Sequence, residues 1–105
     1  MPRRGQIDPR TVRYTQDSIS YYFQDGGNLD DLVAKLKAGT TTAADVEPIR
    51  LVPWYGDIYS LDNRRLWAFK KAGVPIRYLR LDYTPENQEF KITTTNEGKG
   101  IKVRK

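Results

Sequence analysis

Two adjacent arginines, Arg64 and Arg65, open a stretch of helical periodicity directly after Asp62 and Asn63. Guanidinium groups beside the free N–H groups of a helix's first turn make a phosphate cradle, because donors and partial positive charge converge there. At roughly 100° per residue, Leu66, Ala68, Phe69 and Ala72 share one apolar arc and Arg65 falls inside it. A charge on the core side needs a negative partner. That partner is either a ligand phosphate or an internal carboxylate such as Asp17, Asp45 or Asp62. Asp62 and Asn63 are also the natural caps of this turn. The phosphate-binding candidates are therefore Asn63, Arg64 and Arg65, with Asp17 and Asp62 as catalytic carboxylates that would hold a hard metal such as Mg²⁺ or activate water, and Gln16, Ser18 and Ser20 lining the pocket.

Two absences narrow the chemistry. The chain has 105 residues with no His and no Cys. Zinc fingers, Ser-His and Cys-His nucleophile systems, thiol chemistry and disulfides are excluded. Eighteen Lys and Arg face 13 Asp and Glu, a net charge of +5, which favours a polyanionic partner. The excess is blocky: residues 61–81 carry +5 and residues 14–34 carry −4. No apolar run is long enough to cross a bilayer, so no membrane partner is expected. The basic start, Met1 to Gly5, lacks the apolar stretch of a secretory signal and reads as a start placed before a domain cut from a longer chain.

Several elements must position these residues. Residues 11–15 alternate as a short strand, and residues 16–23 offer a cap and one helical turn before Asp25-Gly26-Gly27 breaks it. Asn28 then caps a helix with Asp30 and Asp31 in its first turn, an apolar stripe of Leu29, Leu32, Val33 and Leu36, Lys35 and Lys37 in its last turn, and Gly39 as its stop. Residues 39–45 connect with at most one helical turn. Residues 48–61 form a β-hairpin about Tyr55-Gly56-Asp57. A second helix covers 62–72, stopped by Gly73 with Pro75 beyond, and residues 76–81, apolar with Arg77 and Arg80 interspersed, read as a strand. Residues 90–93 add a weaker strand. The fold class is α+β, a small mixed sheet with two or three helices. The folded domain covers 10–94, between basic tails at 1–9 and 95–105.

The run Pro48-Ile49-Arg50-Leu51-Val52, a Gly56-Asp57 hairpin, and Leu61-Asp62-Asn63-Arg64-Arg65-Leu66-Trp67-Ala68-Phe69-Lys70-Lys71-Ala72-Gly73-Val74 resembles the ParB/sulfiredoxin superfamily over residues 10–82. ParB-type proteins carry a Gly-Glu-Arg-Arg box before an Ala-rich helix, after a strand beginning Pro-Ile. The resemblance implies that Asp62 stands at the box glycine, Asn63 at its glutamate or at sulfiredoxin's cysteine, and Arg64 and Arg65 at its paired basic positions. It implies a nucleotide-phosphate grip using ATP or CTP with magnesium, or nuclease activity. Asn63 rules out sulfiredoxin's thiol chemistry, and Asp62, Asp17 or Asp45 has to supply the carboxylate. Arg13 to Ser20 together with Ser60 to Arg65 also resembles a ParB-like module at the C-terminal ends of bacterial polymorphic toxins. That resemblance implies a domain delivered from another cell as part of a larger secreted protein, a cytoplasmic site of action and a neutralising immunity protein.

Two non-catalytic readings stand beside this one. Trp67, Lys70, Lys71, Arg77 and Arg80, with Tyr78, would form a basic and aromatic surface for nucleic acid. Alternatively, Trp54, Tyr55, Tyr59 and Trp67 would form a protein-docking patch.

Overall fold

The computed structural model describes residues 2–82 and 92–105. Its strands are β1 (Arg4–Ile7), β2 (Arg13–Tyr14), β3 (Ser18–Ser20), β4 (Ile49–Trp54), β5 (Asp57–Ser60), β6 (Ile76–Arg80) and β7 (Lys102–Arg104). Its helices are α1 (Leu29–Ala38) and α2 (Asn63–Ala72), and short 3₁₀ turns occur at Pro9–Thr11 and Ala43–Asp45. A five-stranded mixed sheet runs β1-β6-β4-β5-β2, and β3 pairs with β7 in a separate two-stranded sheet.

Both helices form where local signals agree. The Asn28 side chain accepts from the Asp31 N–H at 2.9 Å, and Gly39 ends α1 in the left-handed region at φ 76°. Gly73 ends α2 in the same way, at φ 73°. Between β4 and β5, Tyr55 and Gly56 both have positive φ, 48° and 83°, as a two-residue turn matched to strand twist requires. β4 lies between β5, antiparallel, and β6, parallel, so it is covered on both edges. Its Ile49 and Leu51 meet Leu36 of α1, Leu66, Ala68 and Phe69 of α2, and Ile76 and Tyr78 of β6 in the main core. Each fully buried Leu, Ile or Phe contributes roughly 1.5–3 kcal/mol. Val52, Tyr59 and Leu61 form a smaller cluster with Leu81.

The chain ends depart from the expected tails. Arg4–Ile7 is an edge strand antiparallel to β6, in register Arg4↔Leu79 to Ile7↔Ile76, and the Tyr78 hydroxyl donates to the Pro2 carbonyl at 3.0 Å. Lys102–Arg104 runs parallel to β3, and the expected helical turn at 16–23 is therefore strand at Ser18–Ser20. Ile19, buried between two serines, gives this segment the period of a strand, which the partner strand β7 selects. Of the expected strand at 90–93, Phe90 and Lys91 lie outside the described residues. Ile92 and Thr93 are not in a strand, and the N–H groups of Thr93 and Thr94 both donate to the Thr15 carbonyl.

Candidate functional site

The first turn of α2 is held from below by one carboxylate. Asp62 Oδ2 accepts from the Arg50 N–H at 2.7 Å and from Arg50 Nε at 3.1 Å, while Oδ1 meets Arg50 Nη2 and Arg65 Nη2, each at 2.8 Å. Burial alone pushes the Asp62 carboxyl up, but the Arg50 hydrogen bonds and the Arg65 charge outweigh it and hold it below the usual carboxylate range. Arg65 also donates through Nη1 to the Glu47 carbonyl at 2.8 Å and the Pro48 carbonyl at 3.3 Å. Of the three carboxylates open to it in the sequence, Asp62 is the one that meets Arg65, and the guanidinium braces the start of β4 against α2.

Asp62 consequently does not cap the helix, which has no side-chain cap. Asn63 does not cap it either. Its Oδ1 accepts from the Thr15 N–H at 2.9 Å and its Nδ2 donates to Thr15 Oγ1 at 3.0 Å, in a buried position. The N–H groups of Asn63, Arg64 and Arg65 find no acceptor among the described residues, so the positive end of the α2 dipole stays open. Arg64 stands beside it. Its Nη1 donates to the Tyr22 carbonyl at 2.8 Å and its guanidinium carbon lies 5.5 Å from the centre of the Phe23 ring. Phe23 is brought there by a tight reversal, in which Tyr22 bridges Asn28 and the Phe23 N–H donates to the Gly27 carbonyl at 2.8 Å.

These groups line a cleft of about 490 Å³ together with Gln16, Ile19, Gln24, Asp25, Glu47 and Leu61. Its charge is layered. The α2 amides, Arg64 and the Arg50–Asp62–Arg65 cluster make the floor positive, whereas Asp25 and Glu47 put exposed carboxylates beside it. A second depression of about 370 Å³ shares Phe23, Asp25, Glu47 and Arg65 as a common wall.

The expected site is thus partly assembled. Gln16, Asp62, Asn63, Arg64 and Arg65 line the cleft; Asp17, Ser18 and Ser20 do not. Asp17 accepts from the Thr95 N–H and hydroxyl, both at 2.8 Å, on its two oxygens, and the backbone donor foremost holds its carboxyl below the usual range. Ser18 Oγ accepts from Arg104 Nε and Ser20 Oγ from the Tyr22 N–H. Asp62 faces the cleft with its oxygens shared between Arg50 and Arg65, whereas Asp17 lies outside it, so the two carboxylates do not come together as a metal-holding pair, and among the described residues no three His, Cys, Asp or Glu side chains cluster as metal ligands. Phe23, Gln24, Asp25 and Glu47 escaped the sequence reading. The break at Asp25-Gly26-Gly27 was the available signal for the first three, since it turns the chain back over the α2 start.

The expected nucleic-acid surface does not form one face. Arg77 and Arg80 are an odd number of positions apart on β6 and point to opposite sides of the sheet. Arg77 donates to the carbonyls of Ala43, Ala44 and Val46, tying down the 3₁₀ turn. Tyr78 is buried, and Trp67 packs against the core with Lys71 5.4 Å from its ring. Lys70 lies 4.2 Å from the ring of buried Tyr14, and burial lowers its pKa. The docking patch is likewise divided: Trp54 and Tyr55 stack edge to face at the hairpin tip, whereas Tyr59 is buried.

Fold and site together define a small mixed α+β domain with an open helix start in a cleft. No protein-family model, curated protein or solved structure matches the chain. No helix among the described residues is long and apolar enough to cross a membrane.

Proposed function

We propose that this domain binds a phosphate group of a nucleotide or nucleic acid in the cleft at the start of α2, in the manner that its resemblance to ParB-like domains implies. The observation that carries the reading is the open N-terminus of α2, whose three free N–H groups share a cleft with Arg64. Arg64 supplies the guanidinium with donors to spare. Its two contacts, one carbonyl and one ring face, leave donors for an anion, whereas Arg65 is committed to the carboxylates of Asp62 and Glu47 and to two carbonyls.

Phosphodiester or nucleotide hydrolysis on this site would take its general base from Asp25 or Glu47, which line the cleft, rather than from Asp17 or Asp62. Asp25 Oδ1 accepts from the Gly27 N–H, and Oδ2 has no partner among the described residues. An effector of this kind is what the toxin-module resemblance implies, acting in the cytoplasm and paired with an immunity protein. The test is to incubate the protein with nucleoside triphosphates, plasmid DNA and tRNA, with and without Mg²⁺, beside Arg64→Ala. Binding or turnover that is lost in folded Arg64→Ala supports the site. Binding that survives in that variant refutes it.

A further inference from the structure

The cleft's charge and its single aromatic wall narrow the ligand class. We infer that the site takes one nucleotide unit, a base with a single phosphate, in preference to a nucleoside triphosphate; this rests on the phosphate-binding reading above. In the first cleft the charged side chains are Arg64 and Arg65 against Asp25, Glu47 and Asp62, three carboxylates to two guanidinium groups. Asp62 is neutralised by Arg50 and Arg65 at the floor. The positive charge available to a ligand is therefore concentrated at Arg64 and the α2 amides, enough for one phosphate. A polyphosphate extending from that point meets the Asp25 carboxylate and that of Glu47, whose 84% exposed side chain pairs with Arg65 Nη1 at 3.4 Å and takes up the remaining charge of the Arg50–Asp62–Arg65 cluster. Like charges at such separations repel. The ATP or CTP that the resemblance implies therefore does not fit this chain.

The other half of the unit is set by Phe23. Its ring belongs to both depressions, and Arg64 lines the first and not the second. A phosphate that draws Arg64 off this ring, whose centre lies 5.5 Å from the guanidinium carbon, would expose a π surface beside the phosphate floor on which every nucleobase can stack. Gln16 and Gln24, whose neutral amides line the same cleft, supply donors and acceptors to a base edge without adding charge. Phosphate, aromatic wall and amides lie within one cleft of about 490 Å³, in the range of sites that enclose small ligands.

Titration calorimetry with the full chain tests this, using the four nucleoside 5′-monophosphates, ATP, CTP, ribose 5-phosphate and a 5′-phosphorylated single-stranded trinucleotide, in EDTA and again in Mg²⁺. The best monophosphate should bind about tenfold or more tighter than either triphosphate, one like-charge contact being worth about that factor. It should also exceed ribose 5-phosphate by roughly 5- to 150-fold, the span of base–aromatic stacking. Phe23→Leu should collapse the second ratio by weakening monophosphate binding more than ribose 5-phosphate binding. Asp25→Asn with Glu47→Gln should collapse the first. The trinucleotide binding more tightly than the monophosphate assigns the unit to a single strand, and the reverse assigns it to a free mononucleotide. A triphosphate binding as tightly as the monophosphate, or a base preference untouched by Phe23→Leu, overturns this inference while the phosphate site stands. Absence of binding by every phosphate compound overturns both.

Discussion

Replacing Asn63 with alanine separates a structural role from a ligand-binding one at the start of α2. The Asn63 side chain accepts from the Thr15 N–H at 2.9 Å and donates to Thr15 Oγ1 at 3.0 Å, and Thr15 is fully buried. Truncation leaves the Thr15 N–H with no acceptor, which costs roughly 1–3 kcal/mol, and removes a second bond worth about 0.5–1.5 kcal/mol. The Thr15 hydroxyl keeps its bond to the Ser60 carbonyl at 2.8 Å, so it adds no further orphan. The expected loss is about 2–4 kcal/mol, which in a domain of this size lowers Tm by roughly 10–20 °C. Urea unfolding followed by far-ultraviolet dichroism reads it, with the midpoint falling and the slope unchanged. A loss below about 0.5 kcal/mol would refute the reasoning, since a surface polar group gives no more than that. Nucleotide binding by the folded fraction should persist, because the α2 amides do not depend on this side chain.

Arg64→Ala should behave in the opposite way, changing stability by about 1 kcal/mol or less for its one carbonyl bond while abolishing phosphate binding, as calorimetry beside urea unfolding would show. Asp62→Asn should cost about 2–4 kcal/mol at pH 7, somewhat less than a fully buried pair because Arg50 is partly exposed. The folded Asp62 carboxyl is held low, so its stabilisation is present above the unfolded value of about 3.9 and is lost as pH falls through the lower folded value. The difference between wild type and Asp62→Asn should therefore shrink below pH 4 in urea titrations, and a constant difference would contradict the ion-pair account. Gly98→Ala should lower stability by about 2–4 kcal/mol in thermal melts. Gly98 has φ 70°, and an added Cβ would meet the Tyr14 carbonyl and lie 2.8 Å from the Tyr59 ring.

The parts of the fold visible in the sequence are those whose signals are local. Asn28, Asp30, Asp31, Lys35, Lys37 and Gly39 sit within one helix's length and name its start, dipole and stop. Tyr55-Gly56 likewise specifies its own turn. β1 and β7 were invisible because Arg4–Ile7 and Lys102–Arg104 are short, mostly exposed edge segments, made strands by partners far along the chain. The site divides in the same way. Arg65's place inside the apolar arc announced a charge needing a partner, yet only the fold decides that Asp62 meets it. The lining by Phe23, Asp25 and Glu47 depends on how two loops approach α2, which no local pattern encodes.

The pairing of β3 with β7 bears on when the cleft can exist. Ile19 and Phe23 belong to its wall, and the segment carrying them is secured by Lys102 donating to the Asp17 carbonyl and by Tyr21 donating to the Arg104 carbonyl. The Arg104 to Ser18 bond joins residues 86 positions apart. Such distant contacts cost loop-closure entropy before they stabilise anything. During synthesis the α2 start, β4 and β5 emerge well before this seam can close. A nascent chain from which residues 102–104 have not yet emerged therefore carries its guanidinium cluster made and one wall of the cleft unfinished, and the cleft is completed only when β7 joins β3.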